Sequence, residues 1–115
     1  MTFEEFMSET MVWVRLADLA QIPAGDMLPI QHGQQKLAIF HLEDGTVHVT
    51  DNICTHEYAL LTDGWLEGTE IECPLHAGRF DIRTGKGLCA PIDKCLAVFK
   101  TEIRDGGVFV ALPAN

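Results

Sequence analysis

Apolar and polar residues alternate in short runs along this chain, and turn-forming residues punctuate the runs. Residues 11–16 (MVWVRL) alternate with the period of a β-strand. Residues 17–20 (ADLA) predict a short helical turn, ended by Pro23 and Gly25. Residues 36–42 and 46–50 flank Asp44-Gly45, a strong hairpin signal. A two-residue turn there pairs Leu42 with Val47 and Phe40 with Val49 on a buried face, and His41 with His48 on the other. Glycines recur at 64, 68, 78, 85 and 87, with tight turns expected at Glu67-Gly68 and Thr84-Gly85 and short strands between them. Beyond Pro91, residues 95–100 and 108–112 regain strand character around Asp105-Gly106-Gly107, a second hairpin signal. There is no internal repeat, low-complexity tract or long helical pattern. The pattern predicts an all-β fold in which both ends of the chain build a scaffold and the middle forms a loop-rich insert.

A chain of 115 residues, 47% apolar and 22% charged, has the make-up of one compact globular domain. No run approaches the roughly 18 consecutive apolar residues of a membrane span. The first ten residues carry Glu4, Glu5 and Glu9 and no Lys or Arg, the opposite of a signal or transit peptide, which points to the cytoplasm. Eight basic against seventeen acidic residues give a net charge of −9. That balance argues against nucleic acid or an anionic membrane as partner. It suits transient docking onto a basic protein surface, where charge chiefly raises the association rate.

The chemistry concentrates in two boxes, Cys54-Thr55-His56 and Cys73-Pro74-Leu75-His76, separated by sixteen residues. Each box places one thiolate and one imidazole on a short loop. Two such loops side by side present two sulfurs on one side and two nitrogens on the other. A Rieske [2Fe–2S] cluster needs that segregation, because two histidines replace two cysteines on only one of its irons. Cys54 and Cys73 are then expected on one ferric ion, and His56 and His76 on the iron that changes valence. Zinc is the main competitor. A Cys₂His₂ zinc site usually runs Cys, Cys, His, His with the histidines on a helix, whereas the order here is Cys, His, Cys, His and neither box has a helical pattern. The remaining histidines read as surface residues: His32 in a Gly- and Gln-rich turn, and His41 with His48 as a solvent-facing cross-strand pair without a third ligand. Cys89 and Cys95 lack a neighbouring histidine and are expected to be free thiols packed near the cluster loop in a reducing compartment.

The segments CTHEYALLTDGWLEG (54–68) and ECPLHAGRFDIRTGKGLCAP (72–91) resemble the Rieske ferredoxins of bacterial aromatic-ring-hydroxylating dioxygenase systems, the naphthalene dioxygenase ferredoxin group in particular. The resemblance runs from about Met11 to the C-terminus. It leaves residues 1–10 as an extension, or as the product of a start placed upstream of Met7 or Met11. It implies stacked antiparallel sheets forming a partly open barrel, with a cluster-binding subdomain at one end and the histidine edge exposed. Within a single domain over 1–115, residues 11–50 and 92–115 are then the basal scaffold and 51–91 the cluster-binding subdomain. The resemblance also implies that Pro91 belongs to a loop covering the cluster.

By the same resemblance the chain is a carrier that binds one [2Fe–2S] cluster and has no catalytic residue. A flavin-containing, NADH-dependent ferredoxin reductase is expected to supply its electron and a terminal oxygenase to accept it, with the carrier a monomer. Consistent with that role, no Gly-x-Gly-x-x-Gly follows a strand, and no two-histidine, one-carboxylate iron site is available. Three rivals are a Rieske domain cut from an oxygenase subunit, the small subunit of an assimilatory nitrite reductase, and a zinc-stabilised interaction module. The first is disfavoured by a chain that starts at Met and ends just after its last strand. The second is disfavoured because such subunits often lack some ligands. High-potential respiratory Rieske proteins carry a disulfide where this chain has Ala59 and Leu75, and hydroxyls where it has Gly78 and Phe80. Fewer donors to the sulfurs place the expected potential near the low end of the Rieske range, roughly −150 mV. Tyr58 and Trp65 are candidates either for partner docking or for ordinary loop packing.

Overall fold

The computed structural model describes residues 11–55, 58–75, 78–88 and 95–113. Among them, strands form three antiparallel sheets. The first joins the two ends of the chain: β1 (Met11–Asp18) pairs with β10 (Gly107–Pro113), and β9 (Thr101–Arg104) flanks β10 on the other side. The second has the order β2 (Asp26–His32), β3 (Gln35–His41), β4 (Val47–Asp51), β8 (Val98–Phe99). The third is a small meander of β5 (Trp65–Glu67), β6 (Glu70–Glu72) and β7 (Arg79–Asp81). The sheets stack without closing into a complete barrel, in keeping with the all-β expectation.

β3 separates two cores. Leu37 and Ile39 face Val49, Val108, Val110 and Leu112, with Ala17 and Ile22 completing that cluster. Ala38 and Phe40 face the other way, into a cluster with Leu42, Leu61, Ile71, Phe80, Ile82 and both Cys54 and Cys73. Four consecutive residues are therefore fully buried, because both faces of this strand are covered.

The β3–β4 hairpin departs from the register that the sequence suggested. The observed partners are His41 with Val47, Phe40 with His48, and Ile39 with Val49. The turn has three residues, not two. Gly45 N–H donates to Leu42 O at 2.9 Å, and Leu42 N–H donates to Thr46 O at 2.9 Å. The Asp44 carboxylate accepts from both Thr46 N–H and its hydroxyl. Gly45 takes the left-handed conformation, φ +89°, that ends such a loop. One extra turn residue shifts every pair. His41 and His48 are consequently not partners: His41 Nδ1 lies 2.7 Å from Ile22 O, and His48 Nε2 lies 3.0 Å from Thr46 Oγ1. Both are partly buried, whereas His32 is exposed.

Other differences are local. The helical turn expected at 17–20 begins later, as a 3-10 turn at Leu19–Gln21. A register shift after Arg15 keeps Ala17 in the ladder opposite Val108, where it is buried. β2 escapes its sequence pattern because Pro29 interrupts it, and the strand tolerates proline because it lies at a sheet edge. Of the strand expected at 95–100 only Val98–Phe99 forms. β9 adds a largely exposed strand that joins β10 through Asp105 and Gly106, both at positive φ as a tight hairpin turn requires. The turn expected at Glu67-Gly68 centres one residue later, on Gly68 and Thr69. The turn at Thr84-Gly85 is where it was expected, closed by Gly85 N–H to Asp81 O at 2.7 Å.

Candidate metal centre

The two cysteines of the boxes sit on loops at the same end of the second core. The first loop leaves β4, is pinched by a bridge between Ile53 and Leu60, and enters a 3-10 turn at Leu61–Asp63. The second is the connection from β6 to β7, between the paired residues Glu72 and Arg79. Each cysteine closes its loop in the same way. Cys54 N–H donates to Ala59 O at 3.0 Å, and Cys73 N–H donates to Gly78 O at 2.7 Å, five residues on in both cases. Cys54 is 5% exposed and Cys73 1%, both within one apolar cluster, and neither forms a disulfide.

Backbone contact sets the spacing of the two loops. Gly64, at the exit of the 3-10 turn, lies so close to the second loop that a Cβ there would fall 1.9 Å from the carbonyl oxygen of Glu72. Glu72 immediately precedes Cys73. The first loop thus rests directly on the root of the second, and only glycine permits that approach.

Two buried thiols on adjacent loops, neither in a disulfide, are a donor set suited to a sulfur-ligated iron. Among the described residues no group of three His, Cys, Asp or Glu side chains could hold a metal ion. His56 and His76 lie outside the described residues, as do Cys89 and Pro91. Cys95 is a free thiol and is exposed, so it is not packed as the sequence suggested.

Around the site, Phe80 is completely buried and Ala59 nearly so, and neither offers a hydroxyl. Three large side chains near the boxes face solvent instead: Tyr58 at 74% exposure, Leu75 at 44% and Leu88 at 41%. Trp65, opposite Glu72 in the ladder, is 58% exposed. The outer face of the small sheet carries an ion network that the sequence reading had not singled out. The Arg79 guanidinium donates to Glu72 at 2.8 Å, Glu70 at 3.2 Å and Glu67 at 3.3 Å. The hydrogen bonds to Glu70 and Glu72 hold its pKa above the ordinary arginine value. Asp81 is held below the ordinary carboxylate value by its hydrogen bond from Arg83. Asn52 and Gly64 were also missed. Their positions, just before the first cysteine and after Thr62-Asp63, were the available signal.

A family model of the Rieske [2Fe–2S] domain matches residues 12–100. The chain is 43% identical over 103 residues to the ferredoxin component of the naphthalene 1,2-dioxygenase system of Pseudomonas putida, covering 90% of this chain and 98% of that one. The solved Sphingomonas yanoikuyae B1 ferredoxin superposes with a TM-score of 0.84 at 38% identity, over 89% of this chain and all of that one. A chain from a complex of reduced oxygenase and oxidized ferredoxin in carbazole 1,9a-dioxygenase superposes at 0.81 with 32% identity, over 87% of this chain and 93% of that one. A matching family model over most of the chain, close relatives along nearly its whole length and two buried thiols on apposed loops agree. The chain belongs to the Rieske [2Fe–2S] domain family, among the ferredoxin components of aromatic dioxygenase systems, and its cofactor is one [2Fe–2S] cluster.

Proposed function

We propose that this protein is a soluble one-electron carrier of the cytoplasm. It takes electrons from an NADH-dependent, flavin-containing ferredoxin reductase and delivers them to a terminal Rieske non-haem iron oxygenase that hydroxylates aromatic rings. It works as a monomer and is not itself an enzyme. Cys54 and Cys73 hold one iron, and His56 and His76 hold the other. The group so held supplies a one-electron couple whose potential depends on hydrogen bonding to its sulfurs and on exposure to solvent.

The chain's own residues set those conditions. The apolar cluster around Cys54 and Cys73 keeps water away from the sulfur side. Tyr58, Leu75 and Leu88 are exposed side chains against which a partner can exclude water at contact. The acidic balance of the chain speeds encounter with basic surfaces. In this scheme residues 51–91 are the cluster-binding subdomain, residues 11–50 and 92–115 are the scaffold, and 1–10 are an extension.

The observation that carries the proposal is the burial of Cys54 and Cys73 in one core, each closing its loop with the same amide hydrogen bond. Identity of 43% to a dioxygenase ferredoxin component along nearly the whole of both chains favours this role over a nitrite reductase subunit. The test is the purified protein reduced with dithionite. It should be coloured, give the rhombic paramagnetic signal of mixed thiolate and imidazole ligation, and be reoxidised by a terminal aromatic-ring oxygenase. A colourless protein holding zinc would refute the proposal.

A further inference from the structure

The first cysteine loop has no ladder of its own. β4 ends at Asp51, and regular hydrogen bonding resumes only at Leu61. Asn52 stands between them, 2% exposed, with every polar group engaged. Its N–H donates to Lys36 O at 2.8 Å, and its carbonyl accepts from Leu61 N–H at 2.7 Å. Its side-chain Oδ1 accepts from Thr62 N–H at 2.9 Å, and Nδ2 donates to Thr62 Oγ1 at 2.9 Å. Because the Thr62 amide can only donate, the orientation of the carboxamide is fixed.

The first N–H groups of a helical turn find no partner inside it. Leu60, at the N-cap of the 3-10 turn, makes no side-chain cap hydrogen bond. Asn52 supplies the cap from the opposite end of the loop, satisfying Leu61 and Thr62 together. One buried residue thus ties both ends of the segment 53–61 to each other and to β3.

We infer that Asn52 is a positioning residue for the cluster: through Leu61 and Thr62 it fixes the loop that presents Cys54 and His56. The inference rests on the assignment of those two residues as ligands. Removing the carboxamide leaves Thr62 N–H and its hydroxyl without these partners and lets the loop widen at its root. Cys54 then presents its thiolate over a range of orientations.

The experiment compares wild-type holoprotein with Asn52→Ala, Asn52→Asp, Thr62→Val and Val110→Ala. Val110 is fully buried in the other core, so its truncation destabilises the protein away from the loop. Iron release to a chelator, the g-values of the reduced protein and the thermal midpoint are measured for each. Asn52→Ala should release iron roughly tenfold faster than wild type, the effect of one lost buried hydrogen-bonding partner. It should also shift the g-values. Val110→Ala should lower the midpoint and leave the other two readouts unchanged. Asn52→Asp is isosteric, still accepts from Thr62 N–H and can accept from the Thr62 hydroxyl. It should restore slow release. If Asn52→Ala does not fold, Thr62→Val breaks one of the two side-chain bonds and should speed release roughly threefold. Release and spectra indistinguishable from those of Val110→Ala would overturn the inference. Wild-type protein that takes up no cluster would overturn the ligand assignment and this inference with it, and that failure shows before any substitution is made.

Discussion

The loop that carries Cys54 and the loop that carries Cys73 close with the same hydrogen bond, from the cysteine amide to the carbonyl five residues on, but they are rooted differently. The Cys73 loop springs from a two-strand ladder, β6 against β7, whose outer face holds Arg79 among three glutamates. The Cys54 loop springs from the end of β4 and returns to a 3-10 turn. One bridge, one buried asparagine and the contact of Gly64 on Glu72 hold it. Support for one loop is spread over many weak contacts, and support for the other is concentrated in a few strong ones. Substitutions should therefore be tolerated at the root of the second loop and damaging at the root of the first.

The largest effect treats the loops alike. Cys54→Ala and Cys73→Ala should each abolish the cluster, read as loss of visible absorbance and of iron, because the proposed site puts both sulfurs on one metal ion. Gly64→Ala comes next and separates the loops. A Cβ 1.9 Å from Glu72 O must push the first loop off the second, at a cost of about 1–3 kcal/mol by chemical denaturation, with loss of cluster occupancy. Gly68→Ala is the control. It sits at φ +59° with open space around it, so it should cost about 1 kcal/mol in backbone strain and leave occupancy intact. Arg79→Met ranks third. Its ion pairs are largely exposed, so a small destabilisation that disappears at high salt is expected, with the cluster retained.

The smallest effect concerns pH. Burial pushes the His48 imidazole below its ordinary value, with Asp44 opposing. Above the ordinary histidine value of 6.5 both folded and unfolded forms are neutral, and His48 contributes no pH dependence. As pH falls below it, the unfolded chain binds the proton more readily, so stability declines. His48→Gln should flatten the fall in urea midpoint between about pH 6.5 and pH 5.

What the sequence disclosed follows the same division. Cys54 and Cys73 were legible because thiols at that spacing are rare without a metal, and β1 was legible because Met11 to Leu16 alternate. The Asp105-Gly106 hairpin was legible because its turn chemistry is local. The register of β3 against β4 was not, since Asp44-Gly45 is compatible with two- and three-residue turns. The Asp44 carboxylate on Thr46 decides for the longer one. β2 was hidden by Pro29, whose tolerance depends on an edge position that no local pattern encodes. The roles of Asn52 and Gly64, as opposed to their positions, were hidden for a related reason. Their partners, Thr62 and Glu72, are brought to them only by tertiary folding.

Pulsed electron paramagnetic resonance of the reduced protein, labelled with ¹⁵N only in histidine, addresses the ligand set most directly. Two distinct histidine nitrogens should couple strongly to the unpaired electron, with both couplings lost together with the cluster in Cys73→Ala. A cluster that shows no strongly coupled histidine nitrogen, or only one, would contradict a pair of imidazoles from His56 and His76 on a single iron.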